Sequence, residues 1–130
     1  TINAFAGSDS LLIPVQCEFY AMEGLAQLQK TLDLIIERLN QSLKIEGLLL
    51  TMFDSRNNIC KTVEKEVRGF FKEKVLDTLI PKNVRLAECP SFGKTIFDYD
   101  KDCIGAISYL NLSKEILVKN GGSINEESAW

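Results

Sequence analysis

Three strand-length apolar runs, each followed by a helix-length segment, constrain this chain more than any other feature. The runs cover residues 11–16, 47–53 and 75–80. Continuous apolar runs of this length suit strands buried on both faces, as in parallel sheets. Between the first two runs, Leu25, Leu28, Leu32, Ile35, Leu39 and Leu43 recur at steps of three and four. That spacing gives one apolar helix stripe, with Gln27, Lys30, Asp33, Glu37 and Gln41 largely off it. A second helical pattern extends to about residue 74 and turns Ile59, Val63, Val67, Phe70 and Phe71 inward, and a last one runs over about 103–118. Short connections between alternating strands and helices imply right-handed crossovers. The expected fold is therefore α/β, a parallel sheet with strands near 11–16, 46–53 and 75–80 and helices on both faces.

Turn residues punctuate this pattern. Pro14 suits a strand end better than a strand centre, which suggests that the first strand finishes there. The run Asp54-Ser55-Arg56-Asn57-Asn58 has turn and helix-capping chemistry. Pro81 stops the third strand by removing a donor and fixing φ. A polar loop over 81–91 follows, with Lys82, Asn83, Arg85 and Glu88, closed by Pro90. Ligands of parallel α/β sheets bind beyond the carboxyl ends of the strands. Gln16, residues 54–56 and residues 81–85 are expected to converge on that edge. Beyond Gly93, Thr95-Ile96-Phe97 reads as a short extended piece and 98–102 as a turn. Residues 1–9 suggest a short helix. Residues 1–119 form the expected domain, and 120–130 a flexible tail.

The 130 residues are enough for a core, whether they are one domain or part of one. A net charge of −3 advertises no overall affinity for nucleic acid, so any anion-binding surface must be local. No apolar run approaches the roughly 20 residues of a membrane span, and no signal-peptide pattern opens the chain. Cys17, Cys60, Cys89 and Cys103 lie far apart, and there is no histidine. That argues against zinc and excludes Ser-His or Cys-His machinery within the chain. Free, reduced and mostly buried thiols of a cytosolic protein are expected. The start at Thr1-Ile2-Asn3, without methionine, reads as a fragment, a processed product or a truncated record.

The segment I-P-K-N-V-R-L-A-E-C-P-S-F-G-K-T-I at 80–96 closely resembles one in the ParA/Soj chromosome- and plasmid-partition ATPases, relatives of MinD. So do T-I-N-A-F at 1–5, D-S-L-L-I-P-V-Q-C-E-F-Y-A-M-E-G-L at 9–25 and G-L-L-L-T-M-F-D-S-R-N at 47–57. F-D-Y-D-K-D-C-I-G-A-I-S-Y-L-N-L-S-K-E-I at 97–116 closes the match. The departures are Lys82, Cys89, Lys101 and Ile104, where the family usually has arginine, alanine, proline and often a basic residue.

The resemblance implies the C-terminal half of a P-loop NTPase fold. No glycine-rich phosphate loop with its lysine occurs here, so the chain alone is expected to be inactive. ATP and Mg2+ belong to the complete family member, and this chain is expected to bind neither by itself. By motif position, Pro81 and Asn83 would line the adenine, with Thr51 and Met52 nearby. The alternative is that Asn83 only caps its loop. Arg56 and Arg85 would contact DNA phosphate without sequence preference, arginine being suited to paired hydrogen bonds with phosphate. Lys61, Lys65, Arg68 and Lys72 add a stripe on one helix face, although Glu64, Glu66 and Glu73 flank it and solvated helices often look alike. The resemblance further implies a ParB-like partner, a homodimer in the complete protein, no membrane, and a cytoplasmic, nucleoid-associated setting. Two other functions stay open: a stand-alone non-catalytic module that modulates a complete ParA-like partner, and an inert gene remnant.

Overall fold

The computed structural model describes residues 2–122. The expected tail over 120–130 falls outside the described residues from 123 onward. Thr1–Leu76 and Asp77–Trp130 form two compact units, divided within the third strand.

The first unit runs α1 (Ile2–Gly7), β1 (Ser10–Gln16), α2 (Ala21–Arg38), β2 (Lys44–Phe53), α3 (Asn58–Phe71), a 3-10 turn (Lys72–Lys74) and the start of β3 (Val75–Pro81). The three strands form a sheet in the order β1-β2-β3. β1 and β2 pair in parallel from Ser10 opposite Lys44 to Gln16 opposite Thr51. The α/β parallel architecture and the three strand positions are those expected.

β1 corrects one expectation. Leu11, Ile13 and Val15 face inward, and the first two pack on the core of Leu32, Ile35 and Leu43. Leu12, at 41% exposure, and Pro14 and Gln16 lie on an open face. The strand is thus covered on one side only. Pro14 does not end it either: it sits within the strand opposite Leu49. Cys17 N–H donates to Thr51 O at 3.1 Å, so odd-numbered residues turn their backbone towards β2. Pro14 faces the other way, where among the described residues no strand needs its missing donor.

β2 contrasts with it. Gly47 through Leu50 are all buried, so both faces are covered. The register slips between Leu11 and Leu12, which pair with Ile45 and Gly47. A Cβ on Gly47 would lie 2.8 Å from Leu76, too close for any side chain.

The helices follow the predicted periods with local corrections. Leu25, Leu32 and Ile35 of α2 are buried, as is Leu43 beyond it. Leu39 is exposed, because the helix ends at Arg38 and the chain turns. Asn40 fixes that turn by donating to Phe5 O and Ser8 O. In α3 the buried face is Cys60, Val63 and Val67, while Ile59 and Phe70 are exposed rather than inward.

The second unit holds the rest of β3, then α4 (Val84–Glu88), a 3-10 turn (Cys89–Phe92), α5 (Ile96–Asp100) and α6 (Ile104–Lys119). The predicted 81–91 loop is therefore largely helical. The expected extended piece at 95–97 is a helix start. Thr95 Oγ1 accepts Asp98 N–H at 3.2 Å, which caps the helix, and donates to Asp98 Oδ2 at 3.1 Å. Cys89, Ile96 and Ala106 form the unit's core, with Leu86, Phe97, Tyr99 and Cys103 packed on it. At Gly105 a Cβ would come within 2.6 Å of Leu86, so α6 needs glycine there to approach α4.

Glu115 of α6 ties down β3: Oε2 accepts Asp77 N–H at 2.7 Å and Oε1 accepts Thr78 N–H at 2.9 Å. Burial raises its pKa, but the hydrogen bonds from Thr78 and from the Asp77 and Thr78 backbone outweigh this and hold it below the ordinary carboxylate value. All four cysteines are free; Cys17, Cys60 and Cys89 are buried and Cys103 is half-buried.

Candidate functional site

Two of the arginines singled out in the sequence, Arg56 and Arg85, follow a strand and lie within two residues of a helix-capping asparagine. After β2, the Asn57 side chain accepts Ile59 N–H at 2.8 Å and starts α3. Immediately before it, Arg56 folds back on Asp54. Nε donates to Oδ1 at 3.2 Å and Nη2 to Oδ2 at 3.3 Å, while the Arg56 backbone N–H also donates to Oδ1 at 3.0 Å. The Arg56 side chain remains 89% exposed. Its fork is presented to solvent on a pair that water screens.

Thr51 and Met52 lie just upstream. Thr51 is half-buried. Met52 is exposed and has φ of 54°, the left-handed region that side chains other than glycine avoid. Such strain gathers at ligand sites more often than elsewhere.

The basic residues of α3 divide. Lys61 and Lys65 are exposed, as is Lys72, which caps the helix with φ of 52°. Arg68 is turned to structural use: Nε donates to Glu64 Oε1 at 3.1 Å and Nη1 to Leu76 O at 3.1 Å. A stripe of four solvent-facing cations is reduced to three. Near this helix, burial, then Cys60 and Glu64, push the Cys17 thiol up to about 11, so it stays protonated at neutral pH and unreactive.

In the second unit, Pro81 closes β3 and is half-buried. Asn83 Oδ1 accepts Leu86 N–H at 3.2 Å and caps α4. The capping role left open for Asn83 is therefore present. Lys82 is exposed. Arg85 stands in a denser setting than Arg56. Nη1 lies 3.8 Å from Glu88 Oε2, Nε lies 3.6 Å from Asp100 Oδ2, and the guanidinium carbon is 5.9 Å from the Tyr99 ring centre. Tyr99 O–H donates to Glu88 Oε2 at 2.7 Å, and Phe92 stacks on its ring with centres 5.2 Å apart. Tyr99 and Asp100 were missed as functional neighbours of Arg85, since α5 was not expected. The i,i+3 spacing of Arg85 and Glu88 was visible. Among the described residues no cluster of Cys, Asp or Glu is arranged to hold a metal ion, and no helix is long and apolar enough to cross a membrane.

Against known sequences, the "Chromosome partitioning protein ParA" of Myxococcus xanthus is 56% identical over 120 residues, 92% of this chain. The "Sporulation initiation inhibitor protein Soj" of Bacillus subtilis is 54% identical over 116 residues, 89% of this chain. Over the part it spans, this chain is ParA/Soj-like.

That part is less than half of either relative, 42% of the ParA and 46% of the Soj protein. A family described as "AAA domain" matches residues 1–45. Among solved structures, cobyrinic acid a,c-diamide synthase from Mycobacterium smegmatis, with bound ATP analog and magnesium, superposes with a TM-score of 0.68 at 27% identity. The match covers 88% of this chain and 41% of that one. The ParA/Soj likeness and the partial P-loop-type α/β fold thus agree with the sequence.

Proposed function

We propose that this chain is the C-terminal portion of a ParA/Soj-type partitioning ATPase, supplying adenine-side nucleotide contacts and a non-specific DNA-binding surface. The observation that carries this is identity of 54–56% to partitioning proteins over about nine-tenths of the chain. In this reading residues 1–119 are one part of the family's nucleotide-binding domain. Thr51 and Met52, and separately Pro81 and Asn83, contribute to holding the base: backbone groups read its edges and apolar side chains cover its faces. Arg56 and Arg85 contact phosphate, with Lys61, Lys65 and Lys72 adding diffuse charge and Arg68 bracing α3. ATP, Mg2+, a ParB-like partner, homodimerisation and nucleoid association belong to the complete protein.

The exposed guanidinium of Arg56 and the strained Met52 support the reading. The edge position of β1 among the described residues favours one other function, a non-catalytic module that docks on a complete ParA-like partner. The genomic sequence immediately upstream of the Thr1 codon separates them. An in-frame glycine-rich phosphate loop is the expected result, and a start codon directly before Thr1 would favour the module. Calorimetry supplies a second check. With the main phosphate anchor elsewhere, the chain alone is expected to show no micromolar magnesium-dependent ATP affinity, and tight binding would mean a phosphate site lies within it.

A further inference from the structure

Arg85 is held by more groups than Arg56. Two carboxylates lie beside its guanidinium, Glu88 at 3.8 Å and Asp100 at 3.6 Å, and Tyr99 lies under it at 5.9 Å. The acids are themselves held in place. Glu88 Oε2 accepts the Tyr99 hydroxyl at 2.7 Å, and Asp100 Oδ1 accepts Asp102 N–H at 3.2 Å while Oδ2 faces Arg85. Phe92, stacked on Tyr99, fixes the ring between them. Three elements thus supply one arrangement: α4 carries Arg85 and Glu88, α5 carries Tyr99 and Asp100, and the 3-10 turn between them carries Phe92. Arg85 remains 55% exposed, so an incoming phosphate has access to it.

The charge balance around the group is one cation against two anions. A phosphate approaching Arg85 therefore meets both carboxylates as well as the guanidinium. Phosphate oxygens and carboxylate oxygens compete for the same planar donors. We propose that Glu88 and Asp100 are positioning residues that hold Arg85 in a neutralised resting state, and that duplex DNA engages Arg85 only by displacing them. The consequence is a surface with weak affinity for isolated phosphates, on which Arg85 is recruited when neighbouring contacts have already anchored the duplex. This inference rests on the DNA reading of Arg85 given above.

The test measures affinity of the complete protein of which this chain is the C-terminal portion for a long duplex by fluorescence titration, from low salt upward. Glu88→Gln and Asp100→Asn are compared singly with wild type, with Asp102→Asn as a charge control and all three repeated in an Arg85→Ala background. Both amides keep an acceptor for their hydrogen bonds, and failure of one variant to fold leaves the other to answer. Each carboxylate change is expected to tighten binding roughly two- to fivefold, the range of an exposed ion pair. It should also steepen the salt slope, by up to about 0.9 as one more phosphate is fully neutralised. Asp102→Asn should do neither, and the gains should vanish without Arg85.

Equal gains from Asp102→Asn, or gains that survive Arg85→Ala, would overturn the inference in favour of general charge. Weaker binding in Glu88→Gln or Asp100→Asn would overturn it too, by making the acids aids to Arg85. If Arg85→Ala weakens binding while neither amide tightens it, this inference alone fails. If Arg85→Ala changes nothing, or no variant binds at low salt, the DNA reading fails and takes the inference with it.

Discussion

The loop after β2 and the loop after β3 use the same parts to different ends. Each places an arginine next to a capping asparagine, Arg56 beside Asn57 and Arg85 two residues past Asn83. Arg56 is paired with one acid in its own turn and is almost fully exposed. Arg85 is braced by two acids and an aromatic pair from three elements. The first loop launches a 14-residue helix, the second a 5-residue one. The comparison teaches that an exposed cation in the turn ahead of a long, capped helix, held by one acid of that turn, is ready for an anion. One on a short helix depends on neighbours to hold its place, and those neighbours set how readily it is released.

The largest expected effects come from the close approaches behind each loop. Gly47→Ala would drive a Cβ into Leu76, and Gly105→Ala into Leu86 on α4. Each should cost about 1–3 kcal/mol, as overpacking in a core does, read by denaturant unfolding. Gly105→Ala should also disturb Arg85, because Leu86 is its chain neighbour, while Gly47→Ala should leave Arg85 in place. Equal disturbance of Arg85 by both changes would break the contrast.

The caps come next. Asn57→Ala and Asn83→Ala should each lose about 1 kcal/mol of local stability. Hydrogen exchange should show the loss confined to the first turn of the longer α3 but spread over all of α4, which has few other turns to hold it. Uniform protection of α4 in Asn83→Ala would mean that tertiary packing, not the cap, maintains it.

The smallest of these effects concerns pH. Glu115 has a folded pKa below its unfolded one, because hydrogen bonds from Thr78 and Asp77 outweigh burial. Its contribution is therefore present above the ordinary carboxylate range and fades as pH falls through the depressed folded value. Glu115→Gln should flatten this acid limb of stability. An unchanged acid limb would remove Glu115 as the tie between α6 and β3 at low pH.

What the sequence showed of this came from pattern, and what it hid came from context. The three strands were legible because 11–16, 47–53 and 75–80 are continuous apolar runs. That same continuity concealed that Leu12 and Pro14 lie on an open face, since an apolar run does not reveal what covers it. The spacing of Ile59 and Phe70 with Val63 and Val67 fits an inward stripe. Cys60 took the inner position instead, which a polarity-blind count of steps could not decide. Thr95-Ile96-Phe97 reads as extended in sequence, yet Thr95 three residues before Asp98 is an N-cap spacing that marks a helix start. Arg68 looked like a solvent cation because its long-range partner, Leu76 O, is invisible in a local stripe. At the candidate site, Arg56, Arg85 and Asn83 were legible by motif. The Tyr99–Asp100 half of the Arg85 cluster depended on α5 and was not.

The most direct test of the central claim is duplex affinity against salt concentration for Arg56→Ala and Arg85→Ala placed in the complete parent protein. Both variants are expected to bind more weakly to every sequence alike, with slopes shallower by up to about 0.9 for each lost phosphate contact. Arg56→Ala should lose more, because its guanidinium needs to leave only one carboxylate. Affinity and slope unchanged in both variants would contradict the account and leave the two arginines as ordinary loop charges.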